Sequence, residues 1–503
     1  MIVARATLDP VTDPGRPRAP EPALTADDLL AATGGRLIHR SDRQVRGAAV
    51  DSRLVSPGNL FVALPGERTD GHRFLASAVA AGAAAILVSR GPDPAAGEPA
   101  HDTLDDVTLI EVPDTLRALH AVAAAWRARF TPIVVGITGS IAKTSTKEAV
   151  AGVLAGRFRT LRTEGNQNNE VGLPLTVLRL GREHEAAVLE MGMYVGGEIR
   201  GLAAIGRPSI GIVTAVQPVH LSRIGSIEAI EDAKAELVEA LPAAANGGVA
   251  ILNADDGRVA RMAGRTRARV VTYGFAPTAD VTADSIVTAG FAGMRFRLRT
   301  PAGERETWIP SLGRLAVHNG LAATAAGLAA GMTLDEILPG LAVTSTAPHR
   351  SAIVRARGLT IVDDAYNASP GSMRAALDLL AGLPGRHVAV LGEMRELGDA
   401  HETAHREVGA AASGLDLLVV VDGGPGGAAA GITDGALDAG LTPERILVAS
   451  DVPDAVRLVR AATAAGDVIL VKASRGVELE RFVDGLAAPA DGDPAPADGD
   501  PGS

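Results

Sequence analysis

The chain has no cysteine in 503 residues. That excludes disulfides, thiol catalysis and thiolate metal sites. Aromatic residues make up only 3% of the sequence, so its cores must be packed from alanine and branched aliphatics. No apolar run is long and charge-free enough to cross a bilayer, and residues 1–22 lack the apolar core of a signal peptide. These absences predict a cytoplasmic protein without a membrane span. A net charge of −11 argues against nucleic acid as a partner. Lysine is the scarcest charged type. Of 48 basic residues, only Lys143, Lys147, Lys234 and Lys472 are lysines. In a chain so committed to arginine, the surviving lysines mark places where a compact, chemically modifiable amine is needed. Lys147 is the exception, readable as a surface residue one helical turn after Lys143.

What is present centres on residues 133–148, IVVGITGSIAKTSTKE. The β-branched run Ile133 to Ile137 reads as a buried parallel strand. Small residues follow, then Lys143-Thr144, then a helical stretch. This is the layout of a phosphate-binding loop, in which backbone N–H groups and a helix N-terminus face a polyphosphate. Gly139, Ser140, Ile141, Ala142, Lys143, Thr144 and Ser145 are its candidate residues. Ala142 stands where such loops normally carry glycine, and it needs either a negative φ or some strain.

Strand-like and helical runs alternate on both sides of this loop, the rhythm of parallel α/β sheets. The expected fold is α/β in three domains. Residues 1–23 read as a disordered arm and 24–130 as a small α/β domain with a connecting helix. Residues 131–345 read as a central sheet of the P-loop ATPase type, with a β-rich patch from Val281 to Trp308. Residues 346–486 read as a Rossmann-like α/β domain, and 487–503 as a disordered tail. Ligands bind at strand C-terminal ends in such folds. Glu190, His220 and Asn253 all follow predicted strands of the central domain. A carboxylate at Glu190 suits magnesium, although each residue taken singly is a weak signal.

Longer motifs carry a resemblance. They include Asp51-Ser52-Arg53, Asp70-Gly71-His72, Asn166-Gln167-Asn168-Asn169, Ala233-Lys234-Ala235-Glu236, His349-Arg350, Asp363-Asp364-Ala365-Tyr366-Asn367-Ala368-Ser369-Pro370 and Lys472-Ala473-Ser474-Arg475-Gly476. On these residues the chain resembles the Mur ligases, in the branch that adds a D-alanyl-D-alanine dipeptide. The resemblance implies an ATP-dependent, ADP-forming ligase of cell-wall peptidoglycan synthesis. It would phosphorylate the carboxylate of a UDP-linked muramoyl tripeptide, after which the dipeptide amine attacks the acyl phosphate. It further implies that Lys143 contacts the β/γ-phosphates and that Thr144, Glu190, His220 and Lys234 surround Mg2+, Lys234 as a carbamate. Asn253 would face adenine, with Arg350 and Asp364 reaching the phosphates and ribose. Substrate contacts would come from Asp51, Ser52, Arg53, Asp70, His72, Asn168, Asn169, Tyr366, Asn367, Lys472 and Ser474. A monomer is expected.

Five positions depart from the family pattern: Ile141-Ala142 for Asn-Gly, Ala215 for asparagine, Leu315 for histidine and Ala473 for glycine. None removes the essential lysine or a metal ligand. They leave two alternatives open: a sister ligase with another amine or carboxylate, or a degenerate nucleotide-binding module.

Overall fold

The computed structural model describes residues 22–66, 69–93, 104, 106–218, 224–343 and 348–488. The arm and tail expected at 1–23 and 487–503 fall almost wholly outside these residues. The chain forms two compact units, residues 1–115 with 181–183, and residues 116–180 with 184–503. Among the described residues, no helix is long and apolar enough to cross a membrane.

The first unit is a five-stranded sheet in the order Arg36–His39, Thr108–Glu111, Ala85–Val88, Leu60–Val62, Ala48–Ala49. Only the Arg36–His39 edge runs antiparallel. Its opening helix, Ala26–Thr33, starts at a reciprocal cap between Thr25 and Asp28, as the Thr-x-x-Asp spacing predicts.

The second unit holds the central and C-terminal α/β parts. The helix Thr115–Arg127, expected with the first domain, packs here instead. Trp126 donates to the Leu180 carbonyl and Arg127 to that of Gly206. The central sheet has six parallel strands in the order Arg269–Tyr273, Val249–Asn253, Ile210–Val213, Ile133–Thr138, Ala186–Glu190, Thr160–Arg162. The β-rich patch is a three-stranded antiparallel sheet spanning Thr282–Thr288, Met294–Thr300 and Gly303–Ile309.

Two small residues set the packing beside the phosphate loop. Gly136 and Gly211 pair across neighbouring strands. A Cβ on Gly136 would sit 3.0 Å from the Leu237 side chain, and one on Gly211 3.3 Å from it. The bare patch thus seats the helix Ile227–Glu239, which carries Lys234. On the opposite face, Gly340 lies so close to Val153 that a Cβ would approach its Cα to 2.6 Å. The helix after the loop, Lys143–Ala155, is thereby held firmly by its neighbours.

The C-terminal sheet also has six strands, ordered Ala352–Ala356, Leu359–Asp363, Val468–Lys472, His387–Leu391, Leu417–Val421, Ile446–Ala449. Only Ala352–Ala356 is antiparallel. Neither this short edge strand nor the helix Ala430–Asp438 stands out in the sequence. The helix segment AGITDGALD is glycine-containing and weakly patterned, which masks helical periodicity.

Candidate active site

The strand Ile133–Thr138 ends in a loop that folds tightly on its neighbour. Gly139 has φ 149°, and a Cβ there would collide with the Thr214 hydroxyl, so only glycine fits. Ser140 Oγ donates to the Gln217 carbonyl at 3.0 Å and accepts from the Gln217 N–H at 2.9 Å. Thr214 Oγ1 donates to the Ile141 carbonyl at 2.6 Å. Ala142 takes up the left-handed conformation, φ 63°, immediately before the helix. The strained alternative is therefore the one realised: the backbone keeps the shape glycine would give, and alanine bears the steric cost.

Lys143 opens the helix, and its ammonium donates back to the Gly139 carbonyl at 2.7 Å. Burial lowers its pKa; Glu190 opposes the shift and Arg350 adds to it. Arg350, more than 200 positions along the chain by its number, thus lies within electrostatic reach of the loop lysine. Thr144 donates its hydroxyl to Glu190 Oε1 at 3.1 Å, and Asn168 donates to the same oxygen at 2.7 Å. Glu190 is 1% exposed, and its Oε2 has no hydrogen-bond partner.

Lys234 is 3% exposed. Burial, with Lys143 nearby, pushes its pKa well below the ordinary lysine value. Glu236, from the same motif, caps the helix Glu198–Gly206 by accepting from the N–H groups of Gly197 and Arg200. His220 lies outside the described residues. Lys147 is not a surface residue: it is fully buried, 0% exposed. The surface reading failed there because both sides of this helix are covered.

The C-terminal part supplies the opposite wall. His349 and Ser351 both have positive φ, 59° and 52°, and hold Arg350 between two strained residues. The Arg350 guanidinium stacks on the Tyr366 ring at 4.1 Å, and Arg475 approaches the same ring at 5.5 Å. Lys472, 3% exposed, bonds to Asp364 Oδ2 at 2.5 Å and to the Asn367 carbonyl at 2.8 Å. Asp364 Oδ1 also accepts from the Ser351 N–H. Loop and opposite wall border one cavity of about 800 Å³, lined among others by Lys143, Thr144, Asn168, Glu190, Arg350, Asp364, Tyr366, Asn367, Lys472 and Ser474.

Several predicted contacts are placed elsewhere. Asn169 spends its side-chain oxygen on the N–H groups of Val171 and Gly172 and does not line this cavity. Asn253 is buried; it donates to the Thr214 carbonyl, and its oxygen accepts from the Asp255 N–H and meets His318 Nε2 at 3.1 Å. In the first unit, His72 is 1% exposed, bonded through Nδ1 to Asp70 and through Nε2 to the Ser89 N–H. That histidine is a structural peg. Burial alone would raise the Asp70 pKa; hydrogen bonds from His72 and Arg90 overcome it and hold the carboxyl at about 2. Arg53 folds back onto Asp51 while remaining exposed.

His318 and Asn319 went unread in the sequence. His318 packs against Tyr273 and Phe275, and Asn319 Oδ1 accepts from the Thr146 hydroxyl. The signal was available: His318 stands three positions after Leu315, one turn along the same helix.

The loop, carboxylate and facing arginine are those of a nucleotide-using ligase, and the chain belongs to the Mur ligase family. The Mur ligase middle domain matches residues 137–327, the Mur ligase glutamate ligase domain 349–475, and the Mur ligase family catalytic domain 44–127. The chain is 38% identical to the UDP-N-acetylmuramoyl-tripeptide–D-alanyl-D-alanine ligase of Mycobacterium bovis, over 92% of this chain and 98% of that one. It is also similar to the crystal structure of MurF from Acinetobacter baumannii, at TM-score 0.82 and 30% identity, covering 93% of this chain and all of the other. MurF from Thermotoga maritima, solved in complex with ADP, superposes at TM-score 0.76 and 27% identity, covering 88% and 97%.

Proposed function

We infer that this chain is an ATP-dependent ligase that joins D-alanyl-D-alanine to UDP-N-acetylmuramoyl-tripeptide in peptidoglycan precursor synthesis, a cytoplasmic step. The observation that carries the reading is the juxtaposition of the Lys143–Thr144 loop and Glu190 with Arg350 across one cavity. Two anions, a carboxylate and a polyphosphate, must be brought together there. Positive charge fixed in advance on both sides lowers the cost of their approach.

In the first step a tripeptide carboxylate oxygen bonds to the γ-phosphorus, and the bond to ADP breaks. The amine of the dipeptide then bonds to the acyl carbon, phosphate leaves, and the amine loses a proton. Lys143 and the loop N–H groups hold the phosphates, and Arg350 faces them from the other wall. Closure around such an intermediate excludes water.

Magnesium fits the donor set. Thr144 Oγ1 and Glu190 Oε1 lie 3.1 Å apart, and Glu190 Oε2 is a buried oxygen without a hydrogen-bond partner. Magnesium is commonly held by one or two side chains, with water and substrate phosphates completing its shell. Bound there, it would neutralise phosphate charge. Lys234 supports carbamate formation. Burial, with Lys143 nearby, shifts its amine toward the neutral form, which is the form nucleophilic toward CO2, whereas a guanidinium stays protonated.

The test is a panel of UDP-linked peptides crossed with amines, read as phosphate release from ATP. Release only with a UDP-linked muramoyl tripeptide and D-alanyl-D-alanine together supports this reading. Equal release with another amine makes the protein a sister ligase.

A further inference from the structure

Lys147 has no part in the chemistry above, yet it is wholly buried beside it. Its ammonium lies 3.0 Å from Glu148 Oε1 and 3.9 Å from Glu190 Oε2. It is without a hydrogen-bond partner among the described residues, as is Glu190 Oε2. Glu148 has a second cation, Arg162, at 3.2 Å, so neutralising Glu148 does not require Lys147. Nor does orienting Glu190, whose Oε1 is fixed by Thr144 and Asn168 and whose N–H is fixed by the Thr163 hydroxyl. What remains is a point charge facing the open oxygen of Glu190 without a directional bond to it.

We propose that Lys147 is a fixed countercharge that makes divalent-cation binding at Glu190 depend on nucleotide. The proposal rests on Glu190 being a cation ligand. With Lys147 in place, Glu190 is already balanced, and a divalent ion arriving alone meets a like charge in a water-poor setting, where Coulomb repulsion is only weakly screened. A nucleotide polyphosphate brings enough negative charge to reverse that balance, so the cation enters with it. An arginine would not serve equally well: its planar fork would hydrogen-bond the free oxygen and occupy it.

The test measures Mn2+ binding to the full chain by electron paramagnetic resonance, with and without ADP. The variants are Lys147→Met, the charge-balanced Lys147→Met/Glu148→Gln, and Glu190→Gln. In both Lys147 variants, nucleotide-free affinity should tighten by about tenfold or more, while affinity with ADP changes by about threefold or less. The double variant leaves Glu190 and Arg162 as one charge of each sign, so it keeps the test open if the single variant does not fold. Unchanged or weaker nucleotide-free binding in the folded variants overturns the role of Lys147. Glu190→Gln should weaken binding with ADP; wild-type binding in that variant overturns the reading of Glu190 itself, and the proposal with it.

Discussion

Thr144 and Glu190 are joined by a 3.1 Å hydrogen bond, tying the first turn of the loop helix to the end of the adjacent strand. On the proposed reading of Glu190 as a cation ligand, this contact sets where the cation and the phosphates meet. Asn168 reinforces it by donating to the same carboxylate oxygen. Removing a group that orients a metal ligand typically costs about 10- to 100-fold in metal affinity. Asn168→Ala should therefore raise the magnesium concentration needed for half-maximal turnover by about that factor. Calorimetric titration of the ADP-bound protein with Mg2+ checks it, and an unchanged affinity contradicts the role of this contact.

Ala142 sits in the left-handed region at φ 63°. Glycine there would relieve roughly 1–2 kcal/mol of steric cost and lose about 0.4–1 kcal/mol through a more flexible unfolded chain. Ala142→Gly should leave stability unchanged or raise it by about 1 kcal/mol, and ATP affinity should move by a comparable amount. Thermal melting and nucleotide titration measure both. A large gain in activity would mean that the natural loop is impaired, and would favour the degenerate-module alternative.

Arg350 is held against Tyr366 between two residues of positive φ. Arg350→Ala should keep its fold, by circular dichroism, and lose turnover by about 100-fold or more, the scale of losing one preorganised charge-stabilising donor. Normal turnover would remove Arg350 from the chemistry.

Lys234 is buried beside Lys143 with its amine driven toward the neutral form. Lys234→Arg and Lys234→Ala should both fold and lose ligation. A short carboxylic acid should partly restore the alanine variant, and bicarbonate should restore neither. Full activity in Lys234→Arg would contradict the carbamate.

Asp70 titrates at about 2 in the folded protein against an ordinary 3.8. A depressed carboxyl pKa stabilises the fold above the unfolded value and loses that contribution as pH falls. The Asp70–His72 clasp should therefore be at full strength above pH 3.8 and fail as the pH approaches about 2. Asp70→Asn should flatten acid unfolding in this window, followed by circular dichroism. An unaltered acid transition would show that the clasp does not contribute.

The β-branched runs 387–391 and 417–421 coincide with observed strands, because a strand covered on both faces must be continuously apolar. The scarcity of lysine was readable for three of the four: Lys234 and Lys472 are buried and Lys143 is half-buried, whereas Lys147, read as a surface residue, is buried as well. What the sequence concealed were choices made by packing. Nothing local shows that Asn169 and His72 turn inward to cap and peg backbone, since loop asparagine and histidine serve ligands and backbone N–H groups alike. That His318 packs against Tyr273 and Phe275 shows only once the helix Arg314–Ala329 is in place.

The identity of the bond made decides the function. Incubating the purified chain with ATP, magnesium, UDP-N-acetylmuramoyl-tripeptide and D-alanyl-D-alanine, and recording the mass of the UDP-linked product, reads it out. The expected result is conversion to a species heavier by one dipeptide less one water, with ADP and phosphate formed in equal amounts. Recovery of unchanged tripeptide from an ATP-binding, folded protein would contradict it.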